Sequence, residues 1–312
     1  MSVEVPDLDP ETPRQTRALE EANTVSRWAK PTTPEWVRCM GAIWETFETD
    51  ELLAQYRELF APMFEQARDP LGEIEVVIRQ LRERGHKRAA NVAAQIGIAA
   101  YPEESWMLSV AANCARQVGD AKAALALDLR CVVKLSEEER GAGWTRVANS
   151  ALAAGDLEQA KLAISNAREY VDDDGPESNE LTMIDIAVSK DRDRAFALFE
   201  ELAEDPEELA ESHDGHRVVE LCLDLLLPHQ DRRALAVAQA LLDAKLELWG
   251  ECPSVWLERH NLGTVYAQLG DRETAVPLIR EARDRLLAQF GSENPHVQMC
   301  ERSLARVTTA AS

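Results

Sequence analysis

Two histidines and an aspartate lie together in the segment His213-Asp-Gly-His216. Imidazole and carboxylate groups at this spacing can approach one metal ion. A zinc site needs a third or fourth protein ligand, however, and no further ligand follows at a recognisable interval. The segment also has the features of a helix start, where Asp214 would cap backbone amides. We therefore expect no metal here, and no cofactor anywhere in the chain.

Signatures of catalysis are missing from the sequence. It contains no glycine-rich phosphate loop, no G-x-S-x-G elbow and no H-E-x-x-H motif. Carboxylates are abundant, but on exposed helix faces they are normally solvated. A Cys/His nucleophile pair would meet in space rather than in sequence, so that alternative stays open. The expectation is a protein that is not an enzyme.

A turn followed five residues later by alanine recurs along the chain. The six copies start at Gly85, Gly119, Gly155, Lys190, His229 and Gly270. Successive starts are 34, 36, 35, 39 and 41 residues apart. Small residues also recur seven positions before the turn and twelve after it, as at Ala112, Ala148, Cys222 and Gly263, and at Cys131, Ala167 and Ala282. With helical apolar spacing and no period-two alternation, this pattern favours pairs of helices throughout.

The pattern resembles the tetratricopeptide repeat, in which two antiparallel helices cross so closely that only small side chains fit between them. The unit with the best match runs from Asn261 and has Leu262, Gly263, Tyr266, Gly270, Ala275 and Ala282 at the signature positions. The resemblance covers about residues 71–312. It implies an all-α, right-handed superhelical solenoid of antiparallel helix pairs with terminal capping helices.

The same pattern predicts how the chain is divided. Residues 1–33 form an acidic extension, with 1–13 disordered and 14–29 an exposed or docking helix. Residues 34–70 form a helical hairpin that is either a divergent first repeat or an N-terminal cap, and the second is favoured. Six repeats follow at about 71–104, 105–138, 141–175, 176–210, 214–252 and 254–293. Residues 294–312 form a capping helix.

The last two units resemble the longer repeats of kinesin light chains. Their linkers are similar to that family's Gly-x-x-His-Pro-x-Val linker, since Pro253 is followed by Val255 and Pro295 by Val297. Kinesin light chains bind cargo adaptors through such repeats. For this chain the resemblance implies the geometry of the repeat and not a motor as partner.

In tetratricopeptide proteins the first helix of each unit lines a concave groove, so the resemblance assigns groove positions here. In the first three units they include Arg79, Arg82, Trp106, Asn113, Arg116, Arg146 and Asn149. This set has no acidic member in a chain that is acidic overall. At the edge of the C-terminal half of the groove the resemblance places His216, His260 and Asn261.

These side chains suit an extended peptide with acidic or carboxylate groups. Asn can bond to a peptide backbone, and Arg can hold a carboxylate with two parallel hydrogen bonds. Asn113 and Asn149 occupy the same repeat position, which favours binding. Family members that clamp a C-terminal carboxylate also use lysines, and this chain has Ser109 and Thr145 where a lysine would stand. The alternative is that the arginines are ordinary solvated residues, paired with nearby Glu at helical spacing.

The second half of the groove is predicted to be apolar. Its residues are Leu181, Ile184, Val188, Val219, Leu223, Leu226 and Leu227. Such a strip could bind an amphipathic partner helix or a second copy of the chain, which would form a homo-oligomer. The alternative is that the repeats themselves or residues 203–214 cover it.

Charge narrows the class of partner. The 312 residues include 34 Lys or Arg and 56 Asp or Glu, for a net charge of −22. Such a surface is repelled by phosphate backbones and anionic lipid, so we expect neither nucleic acid nor membrane as partner. Six scattered cysteines and an acidic start without an apolar core favour the cytoplasm. The resulting hypothesis is a scaffold or adaptor that binds a protein or peptide. The alternatives are a peptide-sensing regulator and a pathway accessory that holds a small molecule.

Overall fold

The computed structural model describes residues 5–171 and 176–309, with side chains from residue 178 onward in the second range. Every regular element in these ranges is a helix. The chain divides into two compact units, residues 1–171 and 172–312. The prediction of an all-α fold is confirmed.

The N-terminal unit contains ten helices in its described residues. They are α1 (Pro13–Val25), α2 (Pro34–Phe47), α3 (Asp50–Glu58), α4 (Phe60–Gln66), α5 (Pro70–Glu83), α6 (Lys87–Ala100), α7 (Ser105–Gln117), α8 (Ala121–Val132), α9 (Glu137–Ala153) and α10 (Leu157–Ala167). The pairs α5/α6, α7/α8 and α9/α10 are hairpins, and each second helix of the first two pairs also packs against the first helix of the next. Consecutive hairpins therefore share one interior, as a repeat fold requires.

Helix α1 is docked on this unit. Leu19 and Val25 lie in the core, and Glu21 forms an ion pair of 2.8 Å with the buried guanidinium of Arg38 on α2. Val5 and Leu8, which precede α1, are partly buried against the same core. The prediction of disorder over residues 1–13 is therefore wrong for these two positions, because apolar side chains there find a surface to cover. Residues 1–4 of that prediction lie outside the described residues.

The recurring turns have one geometry. Left-handed backbone occurs at Gly85, Gly119, Gly155, Lys190, Gln230 and Gly270. The next N–H donates back across the turn to the carbonyl five residues earlier, as Asp120 does to Ala115 at 2.9 Å. Where Asp follows the turn residue, its side chain caps the next helix, as Asp120 Oδ1 does by accepting from the Ala123 amide at 3.0 Å. His86, which follows Gly85, forms no such cap. In the fifth unit the turn residue is Gln230 and not His229, because a short 3-10 helix, Leu227–His229, precedes it.

The small residues of the pattern are the points of closest helix contact. All the alanines and cysteines of the ladder are buried, with Ala112, Ala148 and Ala282 fully so. A Cβ built on Gly263 would lie 2.7 Å from the side chain of Ile279 on the partner helix. Small residues therefore recur in the sequence because the helices cross closely at these positions, as predicted.

The C-terminal unit continues with helical elements of more varied length. They are α11 (Pro176–Ser189), α12 (Arg192–Leu202), α13 (Pro206–Glu211), α14 (His213–Leu226), α15 (Arg233–Trp249), α16 (Pro253–Gln268), α17 (Arg272–Phe290) and α18 (Pro295–Thr309). Helix α18 packs on α17 and α16. The short helix α13 was not predicted; it packs against α12, α14 and α15. No helix in the ranges that the structure describes is long and apolar enough to cross a bilayer.

The predicted apolar strip in this unit is not an open surface. Leu181, Ile184, Val188, Val219 and Leu226 are all buried, and Leu223 and Leu227 are half-buried. Val219 and Leu226 belong to a core shared with α12, α13 and α15. The alternative, that the fold covers the strip, is therefore correct for this chain.

The linkers before α16 and α18 resemble each other in structure. Gly250 and Gly291 both have positive φ, and a proline then begins the next helix. Glu251, in the first linker, accepts hydrogen bonds from Arg259 (2.8 Å) and Trp256 (2.8 Å) and pairs with Arg285 (2.7 Å). The bond from Arg259, aided by Trp256 and both arginine charges, lowers the pKa of Glu251 from 4.5 to about 2.

This shift predicts acid sensitivity of the linker. Because the pKa is lower in the folded chain than in the unfolded chain, the stabilisation is complete above pH 4.5 and is lost as pH falls towards about 2. We expect Glu251→Gln to flatten the dependence of the unfolding midpoint on pH in that window, while Glu247→Gln, on an exposed residue of α15, leaves the slope unchanged. Denaturant titrations at several pH values measure the unfolding midpoint of each variant. Equal slopes for wild type and Glu251→Gln would contradict the assignment.

Candidate functional site

The C-terminal turns of α5 and α7 form a depression on the N-terminal unit. Arg79, Arg82, Glu83 and Gln117 line it. Arg79 is exposed and Arg82 is half-buried. The Nε of Arg82 is shielded from solvent and has no hydrogen-bond partner among the described residues. That N–H is closed to a ligand, but neither Arg79 nor Arg82 forms an ion pair among the described residues, so the charges of both can attract an anion to the depression.

Arg82 also lies close to a second predicted arginine. Burial raises the pKa of the Cys114 thiol to about 11, and the charges of Arg82 and Arg116 oppose that rise. Both guanidiniums therefore lie near this one position of α7. Arg82 and Arg116 have different surroundings, however.

Arg116 is held by the protein itself. Its Nη1 donates to Ser150 Oγ at 2.8 Å and pairs with the carboxylate of Asp128, which is 1% exposed. Ser150 Oγ in turn donates to Asp128 Oδ2 at 2.7 Å. The three side chains connect α7, α8 and α9. The chief role of Arg116 is therefore to neutralise a buried carboxylate, which corrects its assignment to partner binding.

Arg146 and Asn149 also have contacts within the chain. Arg146 lies near the Cys131 thiol, whose pKa is raised by burial and lowered in part by the charge of Arg146. Asn149 is half-buried and has an intramolecular partner. Asn113 is half-buried on α7. Within the part of the chain that the structure describes, Arg79, Arg82 and Asn113 are the members of the predicted strip without a polar contact that argues against binding.

His260 does not lie at a groove edge. It is 4% exposed, and its Nε2 lies 3.0 Å from Ser303 Oγ on α18. Burial lowers the pKa of His260, and the charge of Arg306 lowers it further. Asn261 is exposed but donates to Glu258 Oε2 at 2.9 Å. His260 therefore joins α16 to α18, and this predicted site position is corrected.

The histidine segment at the start of α14 does not gather metal ligands. His213 and His216 are exposed, and His216 Nδ1 lies 2.8 Å from the Ser212 carbonyl oxygen. No cluster of three or more His, Cys, Asp or Glu suited to a metal occurs in residues 5–171 and 176–309. Burial also raises the pKa of Cys39 to about 11 and of Cys222 to about 12, so these thiols stay protonated at neutral pH.

Sequence reasoning missed Gln117, Asp128 and Ser150. Gln117 is the last residue of α7 and carries no pattern that distinguishes it. Asp128 did have a signal, because it lies four residues after Ala124 on the apolar stripe of α8. An acid at such a position needs a buried partner, and the partner is Arg116.

Comparison with known proteins identifies the kind of fold. No protein-family model matches the chain, and no curated protein matches it either. Among solved structures, it is similar to a tetratricopeptide repeat protein from Parabacteroides merdae, with a TM-score of 0.55 and 12% sequence identity. The match covers 95% of this chain and 100% of the other. This likeness confirms an all-α repeat fold like that of the tetratricopeptide repeat protein.

Proposed function

We propose that this protein is a non-catalytic cytoplasmic scaffold whose N-terminal unit binds an acidic or carboxylate-bearing segment of a partner protein. The observation that carries the proposal is the depression between α5 and α7, which is lined by Arg79 and Arg82, two arginines without an ion pair among the described residues. Gln117 adds an amide that can bond to a peptide backbone.

The charge of the chain makes this depression distinctive. On a surface of net charge −22, two neighbouring arginines concentrate positive potential where acidic groups elsewhere would repel an anion. Glu83, at the rim, offers one competing carboxylate. A partner carboxylate would gain about 1.5–3 kcal/mol from each well-formed charge-assisted bond, and a few such bonds correspond to an affinity in the micromolar range.

The test compares two double variants that reverse two positive charges each and so have the same net charge. We expect Arg79→Glu/Arg82→Glu to weaken partner binding by about a hundredfold, because two charge-assisted contacts become repulsive. The control is Lys87→Glu/Lys122→Glu, which changes the net charge equally at exposed positions outside the depression. Both control residues lie in the first turn of a helix, where acidic side chains are tolerated.

Affinity capture from an extract of the source cells identifies the partner, and titration calorimetry with that partner gives the affinities. Loss of binding in the first variant alone supports the proposal. Equal binding by wild type and Arg79→Glu/Arg82→Glu, with helicity unchanged by circular dichroism, would show that the depression is not the binding site.

A further inference from the structure

A second cavity lies within the C-terminal unit, at the place where the repeat pattern is interrupted. It is enclosed by α11, α12, α13 and the start of α14. Helix α13 forms one wall and is held close to α14, since a Cβ built on Gly215 would lie 2.5 Å from the Glu208 carbonyl oxygen. Asp205 caps α13 by accepting from the amides of Glu207 and Glu208. The wall is therefore fixed in place.

The floor of this cavity is apolar. Met183, Leu198, Leu202 and Val218 form it. The cavity volume is about 200 Å³, below the roughly 300–1,000 Å³ of sites that enclose a whole small molecule. Its size therefore fits a side chain of a larger ligand better than a free metabolite.

The polar residues at the rim are acidic apart from Asn179. Glu201, Asp205, Glu208 and Asp214 line it, and no Lys or Arg does. Apart from Asp205, these carboxylates form no ion pair or hydrogen bond through their side chains within the described ranges. Arg217, on the next turn of α14, is engaged with Glu180 at 3.4 Å. A cation entering the cavity would gain carboxylate contacts, whereas an anion would be repelled.

We propose that this cavity binds a Lys or Arg side chain presented beside an apolar residue on a basic amphipathic segment of a partner protein. The apolar floor would pack against the aliphatic stem and its apolar neighbour, and the rim would hold the charged head. The acidic rim selects a ligand of opposite charge to the one proposed for the arginine depression. This site therefore goes beyond the proposed function, and each can fail without the other.

The test uses a short synthetic amphipathic peptide of Leu and Lys, labelled for fluorescence anisotropy, with the full chain at about 0.15 M salt to screen long-range attraction. We expect Glu201→Gln/Glu208→Gln to raise the Kd by at least about tenfold, the change produced by losing one charge-assisted contact. The matched control is Glu200→Gln/Glu207→Gln, which removes the same charge from the adjacent exposed residues. Its Kd should stay within about twofold of wild type.

Two further probes separate the outcomes. A Ser–Lys peptide of the same charge should bind at least about tenfold more weakly, because it leaves the apolar floor uncovered. Spermine, a cation without an apolar side chain, should compete poorly. If Glu201→Gln/Glu208→Gln and Glu200→Gln/Glu207→Gln weaken binding of the Leu–Lys peptide equally, the peptide is held by general attraction to an acidic surface. That result would overturn the proposal. Equal binding of the Ser–Lys peptide, or tight competition by spermine, would overturn the assignment to an amphipathic segment.

Discussion

Replacing Arg116 with Ala should lower the free energy of unfolding by about 3–5 kcal/mol, because it leaves the Asp128 carboxylate buried without its cation. Asp128 is 1% exposed, and its Oδ1 already lacks a partner among the described residues. Ser150 is the other side-chain donor to this carboxylate, and one hydroxyl does not replace a guanidinium. The loss of protection from amide hydrogen exchange should be largest where α7, α8 and α9 meet.

The measurement is denaturant unfolding of the full chain by circular dichroism, with amide hydrogen exchange over α7–α9 as the local readout. The control is Arg116→Met/Asp128→Leu/Ser150→Ala, which removes all three polar groups and should recover most of the loss. A cost below about 1 kcal/mol for Arg116→Ala would mean that Arg116 behaves as a surface residue. In that case its predicted role in partner binding would stand again.

Gly215→Ala should cost about 3 kcal/mol, the upper end for a clash in a well-packed interior. The added Cβ would lie 2.5 Å from the Glu208 carbonyl oxygen and 2.7 Å from that of Leu209. These are backbone atoms of α13, so no side chain can rotate to relieve the contact. Helix α13 would have to move away from α14 and from its packing on α15.

The matched control is Gly155→Ala. Gly155 has φ of +75° and nothing within 4 Å of a built Cβ, so its substitution costs only the left-handed backbone, about 1–2 kcal/mol. Thermal unfolding of both variants gives the comparison. Equal losses would show that α13 does not hold the close contact with α14. Gly215→Ala should also weaken binding of the Leu–Lys peptide, because α13 is one wall of the acidic cavity.

The repeated part of the fold could be predicted because its signals are local. Gly119 followed by Asp120 encodes both the left-handed turn and the cap of α8 within a few residues. Ala112 and Ala148 are fully buried where two helices cross closely, and a larger side chain would not fit there. Such rules need no knowledge of distant contacts, so residue spacing was enough to predict repeated pairs of helices.

The candidate sites could be predicted only in part. The resemblance placed Arg79 and Arg82 on the first helix of one repeat and Arg116 on the first helix of the next, and these helices are α5 and α7. Whether a guanidinium is free depends on what lies opposite it, however, and Arg116 meets an acid from another helix. His260 is a similar case, since its partner Ser303 lies 43 residues away in sequence.

The sequence by itself therefore determined the class of fold and the position of five of the six turns. It did so because helix capping and close helix crossing depend on residues a few positions apart. Only the tertiary structure decided which arginines face inward, that the predicted apolar strip is core, and that α13 closes an acid-rimmed cavity. Those outcomes depend on the partner that each side chain meets in space, and spacing along the chain does not specify it.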